Sequence, residues 1–334
     1  MSPRQRVAVI LAAGKGTRMR SERPKVLHEV AGRPMLAWVV DAARAAGCER
    51  VVVVVGHGAE AVREAFAEES LGWVEQREQK GTGHALAQVA ASVPEGSLLL
   101  VLSGDVPLVT AGTLARLAEA AEGSWGALAV AELAEPGALG RVIRHRDGRL
   151  ERIVEARDAS PEELPIRQVN AGLYALPAPE IFAYLDRLSP ANAQGELYLT
   201  DAVGAAAARE GVAVVELADA DEALGINSRA DLALVHERLL ARKAAELMAS
   251  GVTLLRPETA TVEPSVRVAA DTVIHPGVSL LGHSEVGRAV VIHAGAWLRD
   301  CRVGEGSVIG AGAVLDGVEL PPGSRVPALS RLGG

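Results

Sequence analysis

Hydrophobic residues in the first two thirds of the chain form short runs of valine, isoleucine and leucine that alternate with segments of helical periodicity. This alternation is typical of a mostly parallel sheet covered by helices. Glycine and proline, as at Gly47 and in the turn 103–107, mark where elements end. The predicted strands are Val7–Leu11, Val51–Val55 and Leu98–Leu102, and the predicted helices are Met35–Ala46 and the N-capped segment Ser228–Ala249.

The pattern changes to a period of six residues after Val262. Aliphatic residues recur at every sixth position and, after a slip of one residue, continue to Leu315, with small or polar residues between them. One inward-pointing aliphatic side chain per flat face is the pattern of a left-handed parallel β-helix made of hexapeptide repeats. The repeat positions are Val262, Val268, Ile274, Leu280, Val286, Ile292, Leu298, Val303, Ile309 and Leu315. The sequence therefore predicts an α/β domain followed by a short β-helix.

Composition narrows the possible classes of function. Of the 334 residues, 49% are hydrophobic and only 3% aromatic, and the formal net charge is -8. Proteins that bind single-stranded nucleic acids combine aromatic side chains with a basic groove, so nucleic-acid binding is not expected. No apolar run approaches the roughly 20 residues of a membrane span. Cys48 and Cys301 lie far apart and predict neither a disulfide framework nor a zinc site. We therefore expect a cytoplasmic protein.

The segment directly after the first predicted strand carries the strongest local signal, Leu11-Ala12-Ala13-Gly14-Lys15-Gly16-Thr17-Arg18-Met19. Its glycines let the backbone approach a phosphate closely, and the amides, Lys15 and Arg18 can meet the negative charge. The segment is neither a Walker loop nor a dinucleotide fingerprint. Taken alone, such a loop is also compatible with a role that only connects a strand to a helix.

In its first domain the chain resembles the sugar nucleotidyltransferases. More narrowly, it is similar to the uridyltransferase half of the bifunctional bacterial enzymes that acetylate glucosamine 1-phosphate and then uridylate it. The motifs that carry the resemblance are, in chain order, Leu11–Met19, Pro24–Leu27, Gly32–Met35, Gln76, Gln79–Ala85, Gly104–Leu108, Gly140-Arg141, Val154-Glu155, Asp158-Ala159, Asn170, Gly172, Asn192–Glu196 and Gly225–Arg229.

The resemblance implies magnesium-dependent transfer of UMP from UTP to N-acetylglucosamine 1-phosphate. The products would be pyrophosphate and UDP-N-acetylglucosamine, a peptidoglycan precursor. It implies that Arg18, Lys25 and Asp105 are catalytic, with Lys15 and Arg18 on the triphosphate and Lys25 on the phosphate shared with the sugar. The implied Mg²⁺ ligands are Asp105 and Asn227, whose oxygens suit this ion. No general base is expected, because the attacking phosphate is already ionised.

The resemblance also assigns the substrate contacts. Uracil recognition needs matched donors and acceptors, and the implied contacts are Gln76 with the backbone of Gly81 and Thr82. The implied contacts to the N-acetylated sugar are Gly140, Glu155 and Asn170. The full expected substrate-binding set is Leu11, Ala12, Ala13, Gly14, Lys15, Lys25, Gln76, Gly81, Thr82, Ser103, Gly104, Gly140, Glu155, Asn170 and Asn227.

Three positions depart from the family pattern. Ser103 stands where some relatives have tyrosine, Leu139 stands where tyrosine is often found, and Ala171 stands where threonine is frequent. These positions belong to the implied sugar pocket, so transfer to another sugar 1-phosphate, or use of dTTP, remains an alternative. A non-catalytic regulatory subunit that binds a nucleotide sugar is a further alternative, which Arg18, Lys25, Asp105 and Asn227 argue against. His28, His57 and His84 are interpreted as structural.

The second domain is expected to serve assembly. It lacks the Lys-Lys pair and the Asn-Tyr-Asp-Gly segment of the acetyl-CoA site in bifunctional relatives, so acetyl transfer is not expected. A degenerate acetyl-CoA site that uses His275 or His293 stays open as an alternative. Known hexapeptide-repeat proteins imply a homotrimer joined through a β-helix of about three coils. The predicted limits are 1–227 for a Rossmann-like nucleotidyltransferase domain, 228–250 for a linker helix, 251–320 for the β-helix and 321–334 for a C-terminal tail.

Overall fold

The computed structural model of the protein describes residues 4–190 and 192–334. The chain divides into two compact units. The first consists of the described residues up to His28 together with Arg33–Leu232, and the second consists of Glu29–Gly32 and Ala233–Gly334. Among the described residues, no helix is both long enough and apolar enough to cross a membrane.

Helices and strands are interspersed as far as the long helix α7. The elements up to that point are β1 Arg6–Ala12, β2 Glu29–Val30, β3 Arg33–Pro34, α1 Met35–Ala45, β4 Arg50–Val55, α2 Ala59–Ala65, β5 Gly72–Glu75, α3 Thr82–Ala87, β6 Leu98–Ser103, α4 Ala111–Glu122, β7 Gly126–Glu132, β8 Arg141–Arg144, β9 Leu150–Val154, β10 Gln168–Pro177, α5 Glu180–Leu185, α6 Leu199–Glu210, β11 Val212–Glu216 and α7 Arg229–Ala249.

Short strands and one 3-10 helix follow α7. The strands are β12 Thr253–Leu254, β13 Thr261–Val262, β14 Arg267–Val268, β15 Val273–Ile274, β16 Ser279–Leu281, β17 Glu285–Val286, β18 Val291–Ile292, β19 Trp297–Arg299, β20 Arg302–Val303, β21 Val308–Ile309, β22 Val314–Asp316, β23 Glu319–Leu320, β24 Arg325–Val326 and β25 Arg331–Gly333. The predicted helices that begin at Met35 and after Ser228 are confirmed.

The first unit is built on a nine-stranded sheet with the order β11-β7-β10-β6-β1-β4-β5, and the hairpin β8–β9 joins it beside β10. Most pairings in the main path are parallel, but β10 runs antiparallel to both β6 and β7. The core strands β1, β4 and β6 are buried along most of their length. Continuous hydrophobic runs of this kind are expected where helices cover both faces of a sheet. The predicted mostly parallel, helix-covered sheet is thereby confirmed.

One edge of this sheet collects the chemically interesting segments. Strands β1, β4, β5 and β6 run parallel to one another, so their carboxyl ends lie at the same edge. The glycine-rich loop follows β1, Gln76 follows β5, and Asp105 lies two residues beyond β6. Ligands of open α/β sheets bind at the carboxyl ends of the strands. The fold therefore brings residues that are almost 100 positions apart to one edge.

The second unit contains a left-handed parallel β-helix. Its strands form three parallel sheets, in the orders β12-β15-β18-β21-β24, β13-β16-β19-β22-β25 and β14-β17-β20-β23. Equivalent residues of successive coils face one another, as Ile274, Ile292 and Ile309 do. All ten predicted repeat positions are buried, which confirms the β-helix. Removal of these aliphatic stacks from water is the main stabilising contribution of such a core.

The β-helix is longer than the sequence pattern predicted. Residues 321–334 were expected to form a tail, but β24 pairs with β21 and β25 pairs with β22. With five, five and four strands in its sheets, the β-helix also exceeds the expected three coils. The six-residue spacing in fact continues after a second slip at Leu320, with Val326 and Leu332. The Pro-Pro-Gly sequence that suggested a stop lies in a turn between β23 and β24, where no ladder hydrogen bond is lost.

Candidate active site

The glycine-rich loop covers one side of a cleft of about 570 Å³ at the carboxyl edge of the sheet. Residues 11–17 all line this cleft. Gly16 has a left-handed backbone with φ of 60°, and a Cβ atom at this position would lie 2.7 Å from Cβ of Lys25. Only glycine allows the loop to pass so close to Lys25 without strain. A Cβ atom added at Gly14, by contrast, would have no neighbour within 4 Å among the described residues.

Three side chains meet at one side of this cleft, where Lys25 and Asp105 line it and Asn227 joins them from outside the lining. The Nζ atom of Lys25 donates to Oδ2 of Asp105 at 2.5 Å and to Oδ1 of Asn227 at 2.7 Å. The Lys25 and Asp105 side chains are only 11% and 23% exposed, so the ion pair is partly shielded from water. A charge-assisted hydrogen bond in such a place is stronger than one at the surface. The geometry thus directs one carboxylate oxygen and one amide oxygen at a single cation.

This donor pair suits a magnesium ion. Mg²⁺ prefers oxygen ligands and is commonly held by one or two carboxylates together with substrate phosphates and water. In the structure the Lys25 ammonium stands in for the cation, because it lies where the Asp105 and Asn227 oxygens converge. Those two side chains would hold a magnesium ion if Lys25 moved to another anion. The residues therefore fit the metal that the sequence predicted.

The opposite side of the cleft presents amide groups. Gln76 is buried, and its Nε2 atom donates to the Gly81 carbonyl at 3.0 Å and lies 2.9 Å from Nδ1 of His84. Gly81 has a φ of 101°, and a Cβ there would lie 2.5 Å from the Leu197 carbonyl oxygen. These contacts fix the Gln76 carboxamide, and His84 has a positioning contact rather than an obvious acid-base one. A fixed carboxamide is suited to recognising the edge of a planar base.

The three residues predicted to hold the sugar form a cluster of their own. The backbone N–H of Asn170 donates to the Gly140 carbonyl at 2.9 Å. The Asn170 side chain donates through Nδ2 to the Tyr174 hydroxyl and accepts through Oδ1 from the N–H of Gly172. Thr200 donates to Glu155, and an added Cβ at Gly140 would lie 3.6 Å from the Glu155 carboxylate. Burial raises the pKa of Glu155, and the nearby carboxylates of Asp201 and Asp158 raise it further, against the Thr200 hydrogen bond.

This sugar cluster adjoins the cleft through Ser103. A Cβ at Gly172, which lies two residues after Asn170, would be 3.5 Å from the Ser103 hydroxyl, and Ser103 lines the cleft. Gly140, Glu155 and Asn170 do not themselves line that cleft, and Glu155 borders a second cavity of about 450 Å³. The structure therefore groups Lys15 and the expected base contacts in one cleft and places the expected sugar contacts beside it.

Other residues were placed differently from expectation or were missed. Arg18 lies on the exposed side of the 3-10 helix Thr17–Met19 and is not a lining residue of the cleft. Gln79 and Glu196 do line the cleft, although no role was predicted for them. Both lie inside motifs that carry the family resemblance, so that position was the available signal. Buried Arg141 donates to the carbonyls of Gly137, Leu139 and Leu164 and fixes the backbone next to Gly140.

Comparison with known proteins identifies the family of this chain. Residues 8–183, just over half of the chain, match the MobA-like NTP transferase domain family. The bifunctional protein GlmU of Syntrophotalea carbinolica is 46% identical over 314 residues, which are 93% of this chain and 68% of that protein. GlmU of Pelobacter propionicus is 43% identical over 331 residues, covering 97% of this chain and 72% of the relative. The chain belongs to the GlmU family. It is a nucleotidyltransferase, as its sequence predicted.

A solved structure shares the fold of this GlmU-family chain. It is UDP-glucose pyrophosphorylase complexed with UDP-glucose, with 21% sequence identity and a TM-score of 0.59. The alignment covers 71% of this chain and 99% of that chain. At this level of identity the likeness concerns the fold.

The glycine-rich loop gives a direct test of the packing beneath it. Substitution Gly16→Ala should lower the free energy of unfolding by about 1 to 2 kcal/mol, because an L-residue is strained in the left-handed region. The added methyl group also meets Lys25. Gly14→Ala is the matched control in the same loop and should be neutral, since no described atom would lie near its Cβ. Urea denaturation of both variants measures the difference, and equal stabilities would contradict the close approach of the loop to Lys25.

His28 gives the structure a predicted pH dependence. Its ring is buried, its Nδ1 lies 3.2 Å from Nη1 of Arg229, and its Nε2 has no hydrogen-bond partner among the described residues. Burial, with the charges of Arg229 and Arg23, lowers the pKa of His28 from its ordinary value of 6.5. The folded chain then binds fewer protons than the unfolded chain just below pH 6.5. Stability is therefore lost as the pH falls from 6.5 toward the lowered pKa.

The expected loss is at most about 1.4 kcal/mol per pH unit for one group. His28→Asn should reduce the slope of the unfolding free energy between pH 7.5 and 5.5, as measured by urea denaturation. His283→Asn replaces an exposed histidine of the β-helix and should leave that slope unchanged. If His28→Asn keeps the wild-type slope, His28 is not the group responsible.

Proposed function

We propose that the chain transfers UMP from UTP to N-acetylglucosamine 1-phosphate and releases pyrophosphate in a magnesium-dependent reaction. The observation that carries the proposal is the convergence of the Asp105 carboxylate and the Asn227 amide on the Lys25 ammonium at the side of the cleft. A binding module has no need for such a cation site beside a phosphate loop. The GlmU relatives support the same reaction class.

The reaction requires charge neutralisation more than proton transfer. An oxygen of the sugar phosphate attacks the α-phosphorus of UTP, the new P–O bond forms, and the bond from that phosphorus to the bridging oxygen of pyrophosphate breaks. The attacking oxygen is already anionic, so no base must remove a proton. Catalysis then depends on positioning and on fixed positive charge. Lys15 and Arg18, which extend from the loop after β1, are suited to the triphosphate and the leaving pyrophosphate.

Lys25 is proposed to change partners when substrates bind. In the free protein its ammonium neutralises Asp105. Asp105 and Asn227 would hold a magnesium ion at that point, and the ion would supply further neutralisation of the phosphates. Lys25 would then be free to bind the phosphate that the sugar contributes, where its charge would neutralise the attacking anion. The short distance between these three side chains makes this exchange a local movement.

The base and sugar contacts are proposed from the same geometry. The fixed Gln76 carboxamide, with Gly81 and Thr82 beside it in the cleft, would recognise uracil. Gly140, Glu155 and Asn170 would hold the N-acetylated sugar next to Ser103. Ser103 and Ala171 are smaller than the tyrosine and threonine of the family pattern at these positions. A comparison of sugar 1-phosphates therefore tests whether specificity has broadened.

For the β-helix we propose a role in assembly, as a homotrimer in the cytoplasm. The 334 residues contain neither the Lys-Lys pair nor the Asn-Tyr-Asp-Gly segment expected of the acetyl-CoA site. We therefore propose that this chain does not transfer acetyl groups to glucosamine 1-phosphate, whereas the two GlmU relatives are bifunctional proteins.

Pyrophosphate release tests the proposed uridylyl transfer. UTP and Mg²⁺ should give rapid release with N-acetylglucosamine 1-phosphate, and weak release with glucosamine, glucose or N-acetylgalactosamine 1-phosphate or with dTTP. Asp105→Asn should lower kcat/KM by roughly a hundredfold or more, as expected when a fixed transition-state charge contact is lost. Asp147→Asn is the control. It changes an exposed carboxylate whose position in the sequence is distant from the residues that line the cleft, and it should retain wild-type activity.

Each other outcome would change a different part of the proposal. Faster release with another sugar or with dTTP would move the substrate assignment but keep the reaction class. No release with any pair, although UDP-N-acetylglucosamine still binds, would favour a regulatory subunit. Wild-type activity in Asp105→Asn would remove the proposed metal site.

Acetyl transfer is tested separately. Acetyl-CoA and glucosamine 1-phosphate should give no free CoA thiol above the blank in a thiol assay. Release of CoA that is lost in His275→Asn or His293→Asn would contradict the proposal and indicate a divergent acetyl-CoA site.

A further inference from the structure

A buried carboxylate outside the cleft joins two segments of the first unit. Glu222 is only 3% exposed. Its Oε2 accepts from the N–H of Thr110 at 2.9 Å and from the Thr110 hydroxyl at 3.1 Å, and its Oε1 accepts from the Thr113 hydroxyl at 2.9 Å. All three donors are neutral groups. A buried carboxylate is tolerated only when its oxygens are well hydrogen-bonded, and these contacts provide that.

The two segments that Glu222 joins carry the two proposed metal ligands. Thr110 ends the loop that leads from β6, through Asp105, to helix α4, and it caps that helix by accepting from the N–H of Thr113. Glu222 lies on the 3-10 helix Ala220–Ala223, five residues before Asn227. The Glu222 carboxylate therefore ties the Asn227 segment to the loop that holds Asp105, across 112 positions of sequence.

Backbone hydrogen bonds continue this connection to the ligands themselves. The N–H of Ile226 donates to the Asp105 carbonyl at 2.9 Å. The N–H of Asn227 donates to Asp231 at 2.9 Å, at the start of α7. Between these fixed points the Asn227 side chain can reach Lys25 and share it with Asp105. Loss of the Glu222 contacts would free one end of the segment and leave the distance between the two ligand oxygens less well defined.

We propose that Glu222 is a positioning residue for nucleotidyl transfer, which acts through the Asp105 loop to hold Asn227 and Asp105 at the spacing that one cation requires. The inference rests on the proposed function, because it assumes that Asp105 and Asn227 take magnesium when substrates bind. Residues that hold metal ligands in place typically change metal affinity by about 10- to 100-fold when removed.

Product binding with and without metal tests this role independently of turnover. Isothermal titration calorimetry gives the Kd of UDP-N-acetylglucosamine in MgCl₂ and in EDTA. The ratio of the Kd in EDTA to the Kd in MgCl₂ measures how much the metal strengthens binding. Glu222→Ala should reduce that ratio by about tenfold or more and leave the Kd in EDTA unchanged. Glu222→Gln should restore the ratio, because its carbonyl can accept from Thr110 and its amide can donate to the Thr113 hydroxyl.

Matched variants separate positioning from general damage. Thr113→Val removes one hydroxyl that bonds Glu222, whereas Thr113→Ser keeps it, so only the valine variant should lower the ratio. This pair decides the question if Glu222→Ala does not fold. Glu163→Ala removes another carboxylate that accepts from a backbone N–H, that of Ser160 at 2.8 Å, and should keep the wild-type ratio.

Each remaining outcome overturns either the role of Glu222 or part of the proposed function. A wild-type ratio in Glu222→Ala or in Thr113→Val would overturn the positioning role. Equal weakening of binding in MgCl₂ and in EDTA would also overturn it, since that result indicates a general loss of structure. If the wild-type protein binds UDP-N-acetylglucosamine but gains nothing from metal, the metal-positioning proposal fails while nucleotide-sugar binding stands. Absence of any binding in the wild-type protein would instead overturn the proposed substrate, and the role of Glu222 with it.

Discussion

The site depends on how one partly buried positive charge is shared between two oxygen ligands. Asp105 and Asn227 both accept from the Lys25 ammonium, at 2.5 and 2.7 Å. A carboxylate that is partly shielded from water needs a compensating cation. The two proposed substrates are highly charged anions, so their binding would require further positive charge at the same place. Lysine can meet this need in the free protein, and a metal ion can meet it when phosphates arrive. We propose that this exchange of cations underlies the reaction.

The fold supplies the three partners from distant parts of the sequence. The Lys25 segment passes under the loop after β1 because Gly16 leaves room for it. The end of β6 brings Asp105 to the same edge of the sheet, and the Ile226–Asp105 backbone bond brings Asn227 beside it. Glu222 and Arg141 are buried charged groups that bond mainly to neutral backbone or hydroxyl groups, and both hold loops in place. Buried polar contacts therefore fix loops near the cleft, in addition to the packing of the hydrophobic core.

Patterns that repeat along the chain were predictable from sequence, and contacts between distant segments were not. The buried strands of the sheet and the ten aliphatic repeat positions follow directly from hydrophobic periodicity. The last two strands, β24 and β25, were missed because Pro321 and Pro322 were interpreted as a stop, although the period of six continues to Val326. The family motifs indicated Lys25, Asp105 and Asn227, but no local signal could show that Glu222 contacts Thr110 and Thr113. The separation of the sugar cluster from the main cleft is likewise a property of tertiary packing.

The position of a bound metal ion tests the exchange of cations most directly. Crystals grown with UTP and Mn²⁺ would reveal the ion by its anomalous scattering. We expect a manganese peak coordinated by the Asp105 carboxylate and the Asn227 side-chain oxygen, with the Lys25 ammonium moved away from both and toward a phosphate. A manganese ion bound elsewhere, with Lys25 still donating to Asp105 and Asn227, would contradict the exchange.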